Sequence, residues 1–210
     1  MKIISMSLYG DTPMYLHGII ENAKLMGDIY PDWVLRVYCS QDSNIRLLQE
    51  YGCQIRVMGV SRGHAGMFWR FLAAWDTTIE RVIFRDADSR INTKEAAAVN
   101  DWEQTKLLSH CMHDHPHHHT FPLFGGMWGT TVGAIPWEVY RYALKQINIP
   151  QKRKDDMRFL REIVLPHIEQ SLLRHSSLLL KWPAVLFPEH TEIPGFIGQQ
   201  YNNDNQAIWP

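Results

Sequence analysis

The chain has 210 residues with 21 basic and 22 acidic side chains, and this near-zero net charge excludes a surface built as a whole to attract nucleic acid or an anionic membrane. Its length suffices to bury a core without disulfides or metals, so we expect one domain over residues 1–210. Three cysteines in unrelated apolar contexts, Cys39, Cys53 and Cys111, are typical of reduced packing thiols and predict a cytoplasmic protein.

No run of about eighteen apolar residues occurs, so we expect no transmembrane segment. The last residues, "NNDNQAIWP", are polar and then abruptly apolar, as at a cut between domains. This ending predicts that the sequence is part of a longer chain with further domains.

In chain order, the first half alternates short apolar runs with amphipathic stretches, which is typical of an α/β fold with a mainly parallel sheet flanked by helices on both faces. Ser43 and Thr93 are the expected N-caps of the second and fourth helices, and Gly52 is expected to end the second. The predicted strands are "KIISMSL", "WVLRVYC", "QIRVMGV" and "RVIF"; the predicted helices are "LHGIIENAKLMG", "SNIRLLQEYG", "GMFWRFLAAWD" and "TKEAAAVNDWEQT".

After residue 105 the pattern is less regular. We predict strands at "KLLSHCMHD" and "LFGGMWGTTVGA", helices at "WEVYRYALKQ" and "KDDMRFLREIVLPHIEQSLLRH", and a last strand at "SLLLKWPAVLF". We find no internal repeat and no low-complexity linker, so nothing divides the chain into independent units.

Two carboxylates follow the fourth predicted strand, in "FRDADSR". Asp86 and Asp88 are one residue apart, so in an extended chain their side chains point to the same side, with Cα atoms about 7 Å apart. Carboxylates this close repel each other unless a cation or a proton intervenes, and a hard divalent ion is the natural partner. The alternative is a solvated turn in which Asp88 caps the next segment. Since ligands in open α/β sheets bind beyond the carboxyl ends of strands, we favour a metal and ligand site.

The segment "HDHPHHH", residues 113–119, has five histidines in seven residues. A structural zinc site usually takes its ligands in two separated pairs, and an expression tag lies at a terminus, so this run belongs to the fold. Arg70, in "FWRF", is a cation among aromatics and requires a partner if it is buried; otherwise its side chain reaches to water. In "FGGMWG", Gly126 and Trp128 either form a wall for a sugar ring or pack in the core.

Six motifs, taken in their order along the chain, are similar to those of a known enzyme family: "GMFWRF", "RDADSR", "EAAAVNDW", "HDHPHHH", "GGMWG" and "FPEHTEIPGFIGQQY". In this order the chain resembles A-type fold nucleotide-sugar glycosyltransferases. The similarity is to a group from capsule-type polysaccharide clusters and large DNA viruses, in particular to the amino-terminal transferase domains of multidomain chlorella-virus enzymes. The resemblance covers essentially the whole chain and implies transfer of a hexose from a nucleotide-diphosphate donor, with UDP favoured, to a glycan hydroxyl in the host cytoplasm.

The resemblance also implies roles for residues at the donor. Asp86 and Asp88, with Ala87 between them, would hold Mn²⁺ or Mg²⁺ on the donor diphosphate. Arg70 would reach these carboxylates or a phosphate. The remaining donor contacts would come from Leu8, Tyr9 and Gly10, at the base and ribose, and from Arg62, a weaker phosphate candidate.

For the acceptor side, the resemblance makes "HDHP" a polar wall of the sugar pocket. His113 and His115 would bond sugar hydroxyls, and His117 to His119 are expected to face solvent. Asp114 is the first candidate for the general base, and Asp156 is the second. The fold often adds a histidine ligand near the carboxyl terminus, for which His175 and His190 compete.

Two other functions remain open. A sugar-phosphate nucleotidylyltransferase also uses a doubly wound sheet and a divalent metal, but it normally has a glycine-rich basic loop after the first strand, where "SLYGDTPMY" has one glycine and no lysine or arginine. A carbohydrate-binding module without transferase activity would use the histidines and tryptophans as its contact surface.

Overall fold

The computed structural model describes residues 1–10, 12–61, 63–179, 181–188 and 193–208. Seven strands form the central sheet and two short ones form a separate hairpin. The strands are β1 (Lys2–Leu8), β2 (Trp33–Ser40), β3 (Gln54–Gly59), β4 (Arg81–Phe84), β5 (Ser109–His113), β6 (Trp128–Thr131), β7 (Leu172–Ser176), β8 (Gln200–Tyr201) and β9 (Ala207–Ile208).

The α-helices are α1 (Pro13–Ile29), α2 (Ile45–Glu50), α3 (Thr93–Glu103), α4 (Trp137–Ile147), α5 (Asp155–Phe159) and α6 (Leu165–Ile168). A π-helical turn, Leu160–Val164, joins α5 to α6, and 3-10 helices cover His64–Trp75, Pro116–His119 and Glu169–Ser171. No helix in the described part of the chain is long and apolar enough to cross a membrane.

The predicted mainly parallel α/β sheet is confirmed. Its strand order is β3-β2-β1-β4-β6-β5-β7, and of these seven strands only β6 runs antiparallel to its neighbours. The order reverses between β1 and β4, where connections leave to opposite sides of the sheet. Such a reversal opens a crevice beyond the carboxyl ends of the strands, and this crevice is where the functional site lies.

Alternation along β1 divides the core between the two faces of the sheet. Ile3 packs on one face with the aromatic residues of the 64–75 helix, while Ile4 and Met6 pack on the other with α1 and α3. Both faces are therefore covered, as the mainly parallel topology requires.

The helix predicted at "GMFWRFLAAWD" is present, but as a 3-10 helix. Two serines of β1 contribute to this geometry at its centre. The Arg70 amide donates to Ser7 Oγ at 3.1 Å, and Ser5 Oγ donates to the Arg70 carbonyl at 2.8 Å. These bonds take the place of the i to i−4 hydrogen bonds of an α-helix and fix the Arg70 backbone to β1.

Four local predictions are wrong, and two of them concern N-caps. The N-caps are Asn44, one residue after the predicted Ser43, and Asn92, one residue before the predicted Thr93. Their side chains accept from the Leu47 and Glu95 amides at 3.2 and 3.0 Å. Asparagine is as good an N-cap as serine and better than threonine, so an asparagine takes this role at both helices.

The other two errors lie near the carboxyl terminus. The last helical segment ends at Ser171, and the predicted helical residues "LLRH" belong to β7, because pairing with β5 prevails over local helix propensity. The predicted strand at "SLLLKWPAVLF" is absent among its described residues apart from a single bridge between His175 and Val185. Pro183 cannot donate a hydrogen bond to a neighbouring strand, which disfavours regular pairing there.

Residues 193–208, which we call the strap, return to the sheet and cross the carboxyl end of β4. Its anchors are polar: the Tyr201 amide donates to the Asp88 carbonyl at 2.9 Å, and the Ile197 amide donates to Asp114 Oδ2 at 3.0 Å. Arg90 bonds Asn205 at 2.8 Å and lies over the Tyr201 ring. The strap thereby becomes part of the crevice.

Candidate functional site

A cavity of about 850 Å³ opens beyond the carboxyl ends of β1 and β4. This volume is within the range of small-molecule and cofactor sites. Its floor comes from the β1 and β4 ends, and its sides come from the 64–75 helix, the 115–124 loop, the start of α5 and the strap.

Arg70 lies at the centre of the floor, with a side chain that is almost fully buried. One of its nitrogens, Nη1, pairs with Asp86 and also donates to the Arg85 carbonyl at 3.1 Å. The other, Nη2, lies 3.4 Å from Asp156 Oδ2. The sequence-based expectation that a buried Arg70 needs a partner agrees with this placement, and one guanidinium links two carboxylates of the cavity.

Two glycines keep space for this cluster. A Cβ at Gly125 would lie 2.6 Å from Arg70 Nη2 and 2.7 Å from Asp156 Oδ2, and a Cβ at Gly126 would collide with the Asp86 carboxylate. Real Cβ atoms do not approach so closely. Glycine is therefore needed at both positions for the 125–126 backbone to contact the cluster. Gly126 packs directly against Asp86.

Asp88 lies beside Asp86 and is held by the strap. Its Oδ2 accepts from Gln200 Nε2 at 2.7 Å. Burial, followed by the nearby negative charge of Asp86, raises the pKa of Asp88 to about 6. A cation near both carboxylates would relieve this repulsion.

Asp156, at the start of α5, is the third carboxylate of the cavity. Burial raises its pKa, while the positive charge of Arg70 acts in the opposite direction. A buried carboxylate with a raised pKa is a better proton acceptor than a solvated one.

The donor set fits a divalent cation that takes few protein ligands. Asp86 and Asp88 supply carboxylate oxygens. The side-chain nitrogen of Gln200 donates to Asp88, so the side-chain oxygen of Gln200 is available as a further oxygen ligand. No group of three or more His, Cys, Asp or Glu side chains is placed to hold a metal within the described ranges. A cation here would complete its coordination with water and ligand phosphates, as Mg²⁺ commonly does.

Aromatic rings form one side of the cavity, which we call the aromatic wall: His115, His118, Phe121, Phe124 and Phe196. His115 stacks on Phe196 with ring centroids 4.2 Å apart, and His118 contacts Phe124 at 5.0 Å. The expectation that His118 faces solvent is wrong, because its ring is buried and its Nδ1 accepts from the amides of Asp114 and His115.

Basic residues lie on a different side. Arg153 and Lys154 line the cavity just before α5, and the Gln151 carbonyl next to them accepts from the His64 amide at 3.2 Å. His64 and Tyr15 also line this side, and the charge of Arg153 affects Tyr15. Arg153 and Lys154 are thus grouped with His64 and Tyr15.

Asp114, the first candidate for the base, does not line the cavity. Its carboxylate is buried and accepts from Lys94 Nζ at 2.6 Å, from the Ser177 hydroxyl and from the Ile197 amide at 3.0 Å. These three donors engage both of its oxygens. Asp114 is therefore an anchor for the strap in this structure.

His175 is also placed elsewhere. It lies in β7 with one ring nitrogen 2.9 Å from His110 Nε2 and the other 3.2 Å from Asp101, so neither nitrogen is directed to Asp86 or Asp88. The assignment of His175 as a metal ligand is wrong for this reason. His190, its rival, and Arg62 lie outside the described residues.

Three further residues lie in the interior. Trp128 packs against Phe84 with ring centroids 4.4 Å apart, so the core alternative is the correct one. Leu8 belongs to the core on the α1 face, and His113 is buried with its Nε2 bonded to the Phe121 carbonyl at 3.2 Å. The structure does not bring these side chains to the cavity, whereas it does bring Tyr9, Ala87 and His115 there.

Gly10, the last of the predicted base and ribose contacts, is an exposed residue with φ of 74° at the turn after β1. Sequence reasoning missed several cavity residues: Ser7, Tyr15, His64, Arg153, Lys154, Phe196 and Gln200. The alternation in "ISMS" places Ser5 and Ser7 on one face of β1, and this pattern could have identified Ser7. The others come from segments whose convergence depends on the tertiary fold.

The mainly parallel α/β fold is similar to the folds of solved glycosyltransferases and nucleotidyltransferases. Similar solved structures include a glycosyltransferase involved in the glycosylation of the major capsid of PBCV-1, with a TM-score of 0.54 and 16% identity over 83% of this chain and 81% of that one. 4-Diphosphocytidyl-2C-methyl-D-erythritol synthase from Anaerococcus prevotii matches with a TM-score of 0.50 and 11% identity over 90% and 88%. An active-site mutant of LgtC matches with 0.50 and 12% over 84% and 73%.

No protein-family model matches the sequence, and no curated protein matches it. At these identities the structural similarity establishes the fold, and the chemistry must be argued from the cavity.

Proposed function

We propose that the protein is a glycosyltransferase that moves a sugar from a nucleotide-diphosphate donor to a glycan hydroxyl. The observation that carries this proposal is the combination in one cavity of Asp86 and Asp88 at the end of β4 with the buried carboxylate of Asp156. A donor diphosphate needs a cationic partner, and an attacking hydroxyl needs a proton acceptor. Asp86 and Asp88 can hold that cation, and Asp156 can accept the proton. Similarity to a glycosyltransferase involved in the glycosylation of the major capsid of PBCV-1 supports the assignment.

The donor is assigned to the side of β1 and α1. Tyr9 and Tyr15 offer aromatic surfaces for a nucleoside there, and Arg153 and Lys154 offer positive charge for its phosphates. Asp86 and Asp88 would hold Mn²⁺ or Mg²⁺, with Gln200 beside them. When bound, the cation neutralises the diphosphate and stabilises its departure.

Asp156 is the proposed base for an inverting transfer. It replaces Asp114 in this role because it lines the cavity and has a raised pKa. Arg70 positions Asp156 and Asp86 relative to each other, so it is a positioning residue. The hydroxyl oxygen would attack the anomeric carbon, the sugar–phosphate bond would break, and the hydroxyl proton would pass to Asp156.

The test is release of nucleoside diphosphate from a panel of UDP-, GDP- and CDP-sugars with Mn²⁺ and a mixture of methyl glycosides. We expect release with one nucleotide class, its loss in Asp156→Asn, and a new glycoside in the product mixture. The matched control is Asp155→Asn, because Asp155 is the neighbouring acid and accepts from the Lys152 amide at 2.7 Å. Absence of release with every donor would contradict the proposal.

One comparison favours a second candidate function. The similar synthase from Anaerococcus prevotii makes nucleotidyl transfer a specific alternative, with Arg153 and Lys154 available to a nucleoside triphosphate. Release of pyrophosphate from CTP or UTP in the presence of sugar phosphates identifies this activity. The loop after β1 argues against it, because "SLYGDTPMY" provides no basic residue for the triphosphate.

A further inference from the structure

The aromatic wall has no role in donor binding as proposed, although it forms a large part of the cavity. Its rings are continuous: Phe121 contacts Phe124 at 5.9 Å, Phe124 contacts His118 at 5.0 Å, and His118 contacts Phe196 at 5.8 Å. His115 completes the wall by stacking on Phe196. The rings of the first three pairs are inclined at 55° to 86° to each other, so the side of the cavity near β5 and β6 presents several separate aromatic faces.

This wall is uncharged near neutral pH. Burial lowers the pKa of His118 to about 3, and burial also lowers the pKa of His115. The buried Nδ1 of His118 accepts two backbone amides at 2.9 and 3.1 Å, which independently requires the neutral ring. Arg153 and Lys154 lie on the side of His64, and Arg161, which does not line the cavity, lies over the Phe121 ring at one end of the wall.

The wall ends next to Asp156. Phe124 precedes Gly125, whose amide contacts the Met157 sulfur at 3.2 Å and whose missing Cβ leaves room for Asp156. A molecule lying on the rings would therefore present its edge to the proposed base. Aromatic faces flanked by a few polar groups are the usual way to hold the apolar face of a ring compound.

We propose that the aromatic wall is the acceptor subsite and that it selects a neutral pyranose, whose apolar ring face packs on Phe196 and Phe124 while the attacking hydroxyl points to Asp156. This inference rests on the proposed transferase function and names its acceptor class. Phe196 comes from the strap, so the acceptor subsite is incomplete until residues 193–208 are in place.

The experiment compares wild type with Phe196→Leu, which keeps apolar volume but loses the flat ring, and with Phe196→Tyr, which keeps the ring. The matched control is Trp137→Leu, because Trp137 is an exposed aromatic on α4 outside the cavity. Each protein is first checked for an unchanged melting temperature. Two rates are then measured: donor hydrolysis without acceptor, and transfer to methyl glucoside, methyl galactoside and methyl mannoside, with glucuronic acid and glucose 6-phosphate as charged acceptors.

We expect Phe196→Leu to raise KM for the best neutral glycoside by about tenfold, the size typical of losing an aromatic contact, while the rate of donor hydrolysis changes much less. Phe196→Tyr and Trp137→Leu should each have the wild-type KM. An unchanged KM in Phe196→Leu, or a preference for the charged acceptors, overturns the inference while donor hydrolysis continues to support the transferase.

A binding readout separates the inference from the transferase itself. Saturation-transfer NMR of the three methyl glycosides on the wild type should show contacts at ring protons that disappear in Phe196→Leu and persist in Trp137→Leu. If no donor is hydrolysed, the proposed function fails, yet loss of these contacts still supports a neutral-pyranose site. No saturation transfer to any glycoside overturns it.

Discussion

Arg70 lies 3.4 Å from Asp156, and both side chains are more than nine-tenths buried, with 6% and 8% of their surface exposed. The same guanidinium pairs with Asp86, which is much more exposed. Arg70 thus joins the carboxylate that faces the proposed donor to the one that faces the proposed acceptor. Its backbone is bonded to Ser5 and Ser7 of β1. The end of β1 therefore sets the position of Arg70 and of the carboxylates that pair with it.

The first prediction concerns the stability that Arg70 provides. Arg70→Ala leaves the buried Asp156 carboxylate without its cation, so we expect the free energy of unfolding to fall by about 3 kcal/mol. Urea denaturation measures it. Arg158→Ala is the control, because Arg158 forms an exposed pair with Glu162 that should contribute less than about 0.5 kcal/mol. Equal effects of the two substitutions would show that the buried Arg70 pair contributes no more to the free energy of unfolding than an exposed pair.

The second prediction concerns the backbone contact at Gly126. Gly126→Ala would push its Cβ into Asp86, including the Asp86 amide nitrogen at 2.8 Å, so Asp86 must move. We expect metal-dependent nucleotide affinity to fall by about tenfold or more, measured by calorimetry. Gly27→Ala in α1 is the control, since its Cβ meets nothing within 4 Å and should stabilise the helix by about 0.5–1 kcal/mol. Unchanged affinity in Gly126→Ala would contradict the assigned position of Asp86.

The third prediction is an acid-dependent loss of stability. The folded protein holds His118 with a pKa of about 3 and His113 with a pKa of about 4, whereas free histidine has a pKa near 6.5. Below pH 6.5 the unfolded chain binds these protons and the folded one does not. The free energy of unfolding should therefore decrease as the pH falls from about 6.5 towards 4.

Urea denaturation of His118→Gln over this pH range checks the third prediction. The variant should show a shallower decrease than wild type, because one of the two groups no longer titrates. His167→Gln, which changes an exposed histidine of α6, should follow the wild-type slope. A His118→Gln slope identical to wild type would contradict the neutral buried ring.

The fourth prediction assigns Asp114 to the strap. Asp114→Ala removes the acceptor of the Ile197 amide and the partner of Lys94, so hydrogen exchange should accelerate in residues 193–208. Donor hydrolysis should fall less than in Asp156→Asn. If Asp114→Ala abolishes turnover while exchange in the strap is unchanged, Asp114 and not Asp156 is the base.

Much of the fold could be predicted because periodicity records which faces are buried. The strands β1 to β4 and the helices between them follow directly from alternating and helical patterns. The sequence also placed Asp86 and Asp88 at a strand end and required a partner for Arg70. These features depend on short stretches of chain whose surroundings are implied by their own pattern.

The rest depends on contacts between distant segments. Nothing local in "LLRH" distinguishes the end of a helix from β7, since pairing with β5 decides it. Asp114 lies among histidines and therefore has the sequence context of a catalytic residue. Its oxygens are bonded to Lys94, Ser177 and Ile197 only after the chain has folded. Phe196 and Gln200 reach the cavity through the path of the strap, which no periodicity encodes.

The central claim is that the cavity beyond β1 and β4 binds a nucleoside diphosphate through a cation held by Asp86 and Asp88. Calorimetric titration of UDP, GDP and CDP in Mn²⁺ and in EDTA, on wild type and Asp88→Asn, tests it most directly. We predict binding of at least one nucleotide to wild type in Mn²⁺, with a loss of about tenfold or more in affinity in EDTA and in Asp88→Asn. Binding that is equal in all three conditions, or no binding to wild type, would contradict the account.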